Sequence, residues 1–138
     1  MAAAVMLAGV GVARAEGPNP IELRQTGMDL NGGSFAFIKA MVTTKGDPKT
    51  IEPVARGMAR WAAIFPSLFP PGSDKGETKA LPEIWSDPAG FKKDAAAFGT
   101  AATKLADDAK AGNADVMEAD FKAVGQACGA CHKAYRAK

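Results

Sequence analysis

Five consecutive residues near the C-terminus, Cys128-Gly129-Ala130-Cys131-His132, carry the most chemistry in this 138-residue chain. Two thiols three positions apart with an imidazole directly after the second match the spacing of a c-type haem attachment site. On a helix, positions i, i+3 and i+4 share a face, so Cys128, Cys131 and His132 would all address one side of a flat ring. The thiols would add to the haem vinyl groups as thioethers, and His132 would coordinate the iron. Gly129 and Ala130 are small enough to let the ring edge approach the backbone. A zinc site is the first competing reading. It needs four protein ligands when structural, or three and a water when catalytic, and His132 is the sole histidine. A thiol redox pair should follow a strand in a βαβ pattern, and none precedes Cys128. Taken alone, the two cysteines also allow a plain disulfide; the histidine after them is what favours haem.

The elements that must hold these residues read as helices throughout. At 138 residues the chain is one domain in size, and its 47% hydrophobic and 23% charged residues are ordinary for a globular protein. A net charge of +2 is too small to argue for nucleic acid or a membrane surface as partner. Residues 1–15 differ from the rest. They are apolar almost throughout and end in Ala13-Arg14-Ala15, a small-x-small cleavage pattern that predicts a secretory signal, with the mature domain over 16–138. The basic residue that normally opens such a signal is absent, which would be explained if Met1 is a late start and the true start lies upstream. Export suits covalent haem attachment, and the expected location is the periplasm.

After Gly17-Pro18-Asn19-Pro20, an apolar stripe through Ile21, Met28, Phe35, Ile38 and Val42, with Arg24 on the same face, predicts the first helix. Gly32-Gly33 interrupts it, and each glycine costs about 1 kcal/mol in a helix interior. Asp47-Pro48 reads as N-cap and first residue of the second helix, with its stripe through Ile51, Val54, Met58, Trp61 and Phe65. Residues 67–87, with Pro70, Pro71 and Pro82, form a connection too long to be ordinary. Phe69 and Trp85 would let it pack down as a lid. Asp87-Pro88 starts the third helix, which ends at Ala111-Gly112, and Asn113 is expected to cap the fourth. Val116 or Met117, then Phe121, Val124, Cys128, Cys131 and Tyr135 line one face of that last helix. No convincing strand appears. The predicted fold is all-α, an antiparallel four-helix bundle with one haem c in its core.

Three segments in this order resemble the cytochrome c′ family, the class II c-type cytochromes of bacteria. They are Leu23-Arg24-Gln25-Thr26-Gly27-Met28, Thr78-Lys79-Ala80-Leu81-Pro82-Glu83-Ile84-Trp85, and Val124-Gly125-Gln126-Ala127 running into the Cys128 motif. The resemblance implies a left-handed bundle, a periplasmic location and often a homodimer packed through the first two helices. It also implies that Arg24 and Gln25 lie close to the haem and that the Thr78 loop approaches the propionate edge. A guanidinium on the Met28 face needs an anion, and a propionate would offer a bidentate one. Met28 falls where the family places the residue facing the distal side of the iron. As a sixth ligand its thioether suits a one-electron carrier between redox partner proteins, and this is the expectation. As a mere gap-filler it leaves five-coordinate iron, and the alternative is a protein that binds nitric oxide or carbon monoxide. No enzymatic role is expected, because no second histidine remains for distal acid–base chemistry.

Overall fold

The computed structural model describes residues 17–138; the expected signal over residues 1–15 lies outside them. Four long helices form the bundle: α1 (Pro20–Thr43), α2 (Glu52–Ile64), α4 (Pro88–Ala111) and α5 (Met117–Tyr135). A single-turn helix, α3 (Glu83–Ser86), sits in the long connection before α4. Among the described residues no helix is long and apolar enough to cross a membrane.

Side-chain caps set the starts of α1 and α4. The Asn19 side chain accepts from Ile21 N at 2.9 Å, and Pro20 follows with a φ already suited to a helix. The Asp87 side chain accepts from Gly90 N at 3.0 Å and caps α4 in the same way. Gly112, with φ 77°, closes α4 in the left-handed conformation that glycine adopts without steric cost.

Three local expectations are corrected. Asp47 does cap, but the turn it caps is the 3-10 turn Pro48–Thr50, and α2 begins only at Glu52. Asn113 makes no cap bond. A second 3-10 turn, Ala114–Val116, intervenes before α5, and the Asn113 amide instead donates to Asp108 Oδ1 at 2.8 Å. The helix α1 runs unbroken through Gly32-Gly33, where an added Cβ would meet nothing within 4 Å. The long connection carries an isolated antiparallel bridge, Ala80 to Arg136, which ties it to the end of α5.

The helix α2 packs most extensively on α4, and α4 on α5. Small residues explain the first pairing. Ala55 and Ala62 on α2 and Ala95, Ala102, Ala106 and Ala109 on α4 are all buried, and a Cβ on Gly99 would stand only 3.2 Å from that of Ala62. Ile38, Ile51, Leu105 and Val124 fill the core beside this contact and are sealed from solvent. Phe35 stacks on Phe121 with ring centroids 4.4 Å apart, joining α1 to α5. A second, aromatic core gathers around Phe65, Ile84, Phe91 and Tyr135. Phe69 packs edge-on to both Phe65 and Phe91, at 5.0 and 4.9 Å, and to Trp85 at 5.9 Å, so the long connection is packed down as expected.

One charge inside the bundle depends on a single partner. Asp120 is 5% exposed, and its Oδ1 accepts from Lys104 Nζ at 2.8 Å, while Asp108 Oδ2 accepts from the same nitrogen at 2.7 Å. The other oxygen of Asp120 has no donor. Lys104→Met should therefore strand a buried carboxylate and lower the urea midpoint. The double variant Lys104→Met/Asp120→Leu should recover most of that loss. Equal midpoints for Lys104→Met and the parent would show that the ion pair contributes nothing.

Candidate haem site

All seven residues singled out for the site line one cavity of about 530 Å³. Arg24, Gln25 and Met28 come from α1, Thr78 from the long connection, and Cys128, Cys131 and His132 from α5. Its remaining wall is largely aromatic and aliphatic, including Phe35, Met58, Trp61, Phe65 and Phe98. The helical register of α5 accounts for the placement of the motif. Val124 is fully buried, and one turn later Cys128 follows on the same face, with Cys131 packing into the aromatic cluster.

Burial sets the electrostatics here. It pushes the Cys128 thiol up, and burial, then Asp94 and Cys128, push the Cys131 thiol up to about 11. Reactive thiols of redox pairs are shifted the other way, so the thiol-exchange reading finds no support. The His132 imidazole is lowered by burial and then by Arg136, which favours the neutral form that coordinates a metal. Both cysteines are free and half-buried, and no cluster of three or more His, Cys, Asp or Glu side chains forms among the described residues. A zinc site is thus not assembled. Two cysteines and a neutral histidine on the wall of an apolar cavity are a donor set that fits a covalently held haem.

Arg24 is 4% exposed and has a role that sequence alone could not reveal. Its Nη1 donates to Leu68 O at 3.2 Å and Ser73 Oγ at 3.0 Å; its Nη2 donates to Ser73 O at 2.7 Å and Thr78 Oγ1 at 2.9 Å. The guanidinium also lies 4.5 Å from the centroid of Phe69. Gln25 adds a bond from Nε2 to Glu77 O at 2.8 Å. Both side chains therefore fasten the long connection to α1, and both Nη groups are committed to neutral acceptors. From the other side, Leu81 N donates to Tyr135 O at 3.0 Å and Ala137 N to Lys79 O at 2.8 Å. The mouth segment carrying Thr78 is held at both ends.

Most of the other wall residues lie outside the expected set, Trp61, Asn31 and Arg136 among them. Trp61 is visible in the sequence only as a member of the α2 stripe. Asn31 and Arg136 give no signal at all, since their relevance comes from neighbours distant in sequence. Gly27 is buried because the six-membered ring of Trp61 lies against it, where a Cβ would overlap the indole.

With this geometry in place, comparison with known proteins is specific. Residues 19–136 match the family described as Cytochrome C'. The chain belongs to the cytochrome c′ family. It is 34% identical over 126 residues to a cytochrome c′ of Alcaligenes xylosoxydans xylosoxydans, covering 90% of this chain and 98% of the relative. A crystallised cytochrome c′ described for its unusual ligand-controlled dimer dissociation superposes with a TM-score of 0.82 at 34% identity, covering 90% of this chain and 99% of that one. A nitric oxide complex of a variant cytochrome c prime from Alcaligenes xylosoxidans superposes with a TM-score of 0.78, also at 34% identity, covering 89% and 99%. As a member of this family the protein is a c-type cytochrome, a four-helix bundle with one covalently attached haem c.

The Gly27–Trp61 contact gives a stability test. Gly27→Ala should displace the indole, change tryptophan emission and cost about 1–3 kcal/mol. Gly33→Ala lies on the same helix, exposed and off the cavity wall, and should instead gain about 0.5–1 kcal/mol. Chemical denaturation of both variants checks the contrast, and a neutral Gly27→Ala would refute the contact.

Proposed function

We propose that the chain is a periplasmic cytochrome c′ whose haem, coordinated by His132, keeps its other side open to nitric oxide or carbon monoxide. Cys128 and Cys131 carry the cofactor as two thioethers, and Arg24, Gln25 and Thr78 border its edge. Haem c supplies a redox-active iron that can take a diatomic gas. The chain's own residues wall the cavity and set the size and polarity of what can approach.

The placement of Met28 carries this reading. Met28 is half-buried and packs against the aromatic cluster with Trp61 and Phe69, contacts that are favourable for a thioether without any metal. Its position is thus explained by packing. The nitric oxide complex of a 34% identical protein with the same fold supports gas binding in such a cavity. One observation favours the electron-carrier reading with Met28 as sixth ligand: its side chain lines the same cavity as His132. With His132, the sole histidine, held by the iron, no second histidine remains for distal acid–base catalysis, and no enzymatic role is proposed.

Other features support the setting. The signal-like residues 1–15 favour export, and thioether attachment is normally completed outside the cytoplasm. Leu23, Leu30 and Phe37 recur at intervals of seven on α1 and are 40%, 69% and 41% exposed. That apolar stripe supports a homodimer packed through α1.

Two measurements test the proposal. The reduced protein should show the single broad visible band of high-spin iron, and Met28→Ala should keep it while speeding carbon monoxide binding. Sharp, split bands that broaden in Met28→Ala would instead make Met28 a ligand and restore the electron carrier. For the attachment, haem should stay with the chain through acid–acetone extraction and denaturing electrophoresis. Cys131→Ser should leave one link and a less stable holoprotein; loss of haem from the unmutated chain would overturn the assignment of Cys128 and Cys131.

A further inference from the structure

Five residues of the cavity wall are also exposed to solvent: Gln25, Asp29 and Gly32 on α1, Lys79 in the long connection and Arg136 after α5. They mark the rim where the cavity meets water. The three on α1 follow one another at helical spacing, so they form a line along that helix. The line is bounded at both ends. Below it, Arg24 holds Ser73 and Thr78, and Gln25 holds Glu77 O. Above it, Phe35 stacks on Phe121, and a Cβ on Gly125 would stand 3.2 Å from the Phe35 ring. Lys79 and Arg136 are fixed by the Ala80–Arg136 bridge and by the bond from Ala137 N to Lys79 O. Of the five, only Gly32 has no side chain. Crowding does not demand a glycine there, because a Cβ would meet nothing within 4 Å. Glycine inside a helix is less stable than alanine, and this one makes no close contact in return.

We infer that Gly32 is the aperture through which small diatomic ligands enter the cavity, and that the size of residue 32 sets how fast they do so. Met28, one turn before Gly32, and Phe35, one turn after it, both line the cavity, so a molecule passing Gly32 arrives between them. The helix runs unbroken through this point, which makes the aperture a fixed gap and not a moving lid. Cys128, Cys131 and His132 tie the haem to α5, and α1 is left to control approach to its other side. A gap of fixed width selects by diameter, independently of how tightly a ligand binds once inside. This rests on the gas-binding reading, which requires a side of the haem open to external ligands.

The test measures carbon monoxide binding and release by the reduced holoprotein and its Gly32→Ala and Gly32→Leu variants, with Gly33→Ala and Gly33→Leu as controls. Gly33 is exposed on the same helix but is not part of the cavity wall. A barrier at an aperture is crossed in both directions, so binding and release should slow together, in the order Gly, Ala, Leu. In Gly32→Leu both rates should fall by about tenfold, an added barrier of about 1.4 kcal/mol. Affinity, spin state and the infrared C–O stretch should stay as in the parent, and the Gly33 variants should bind at the parent's rate. Unchanged rates in Gly32→Leu place the entry elsewhere and overturn the aperture. So does equal slowing in Gly33→Leu, or slower binding without slower release, which would make residue 32 a contact of the bound gas. All three leave gas binding intact; low-spin iron that takes up no carbon monoxide overturns both.

Discussion

A cavity of about 530 Å³ inside a small bundle is the constraint on which the rest of the structure depends. At about 24 cal/mol per Å³, a dry void that large would cost on the order of 10 kcal/mol. That is comparable with the whole stability of an ordinary domain, about 5–15 kcal/mol. The bundle is therefore a partial core, and its covalent haem is the missing part. Covalent attachment follows from the same logic, since a cofactor that completes the core must not be lost to dilution. The apolar walls, the neutral thiols and the neutral imidazole are all consequences of enclosing that space.

The second consequence is electrostatic. Arg24 places a buried positive charge on the wall, yet every acceptor it meets is neutral: two backbone carbonyls and two hydroxyls. Hydrogen bonds of this kind satisfy a guanidinium's protons without cancelling its charge, and burial lowers its pKa from the ordinary value. An anionic group at the cavity edge, as haem propionates would be, completes the balance on the proposed reading. The sequence-level idea of a bidentate ion pair gives way to a division of labour. Both Nη groups hold the mouth segment, and the residual positive field faces the cavity.

What could be read from the sequence follows the range of the interactions involved. The Cys128 motif is legible because its chemistry sits within five residues, and the helices because their stripes repeat locally. The Asp87-Pro88 cap is legible for the same reason. Asn113 misleads because Asp108, five residues earlier, competes for its amide and a 3-10 turn separates it from α5. Arg24 could be placed on the cavity face, but its partners lie 44 to 54 residues away, so its role as a clamp has no local sign. Gly27 reads as an ordinary helical glycine until Trp61 is brought against it. Gly32-Gly33 draws attention and does nothing visible to the helix.

The alanines, which look uninformative in the sequence, turn out to decide the shape of the bundle. Ala62 against Gly99, with Ala55, Ala95, Ala102 and Ala106 beside them, brings α2 and α4 close enough to pack along much of their length. Bulk is placed elsewhere: Met28, Phe35, Trp61 and Phe65 face the cavity, and α1 meets α5 far more sparsely than α2 meets α4. A uniform distribution of side-chain volume would give four equally spaced helices and no room for a flat ring. Small residues in one contact and large ones around the cavity produce a bundle tight along one pair and open along another. The Cys128 motif lies on α5, one wall of that opening. The chemistry of five residues is thus conditional on alanines 22 to 77 positions away, which set how far apart the helices stand.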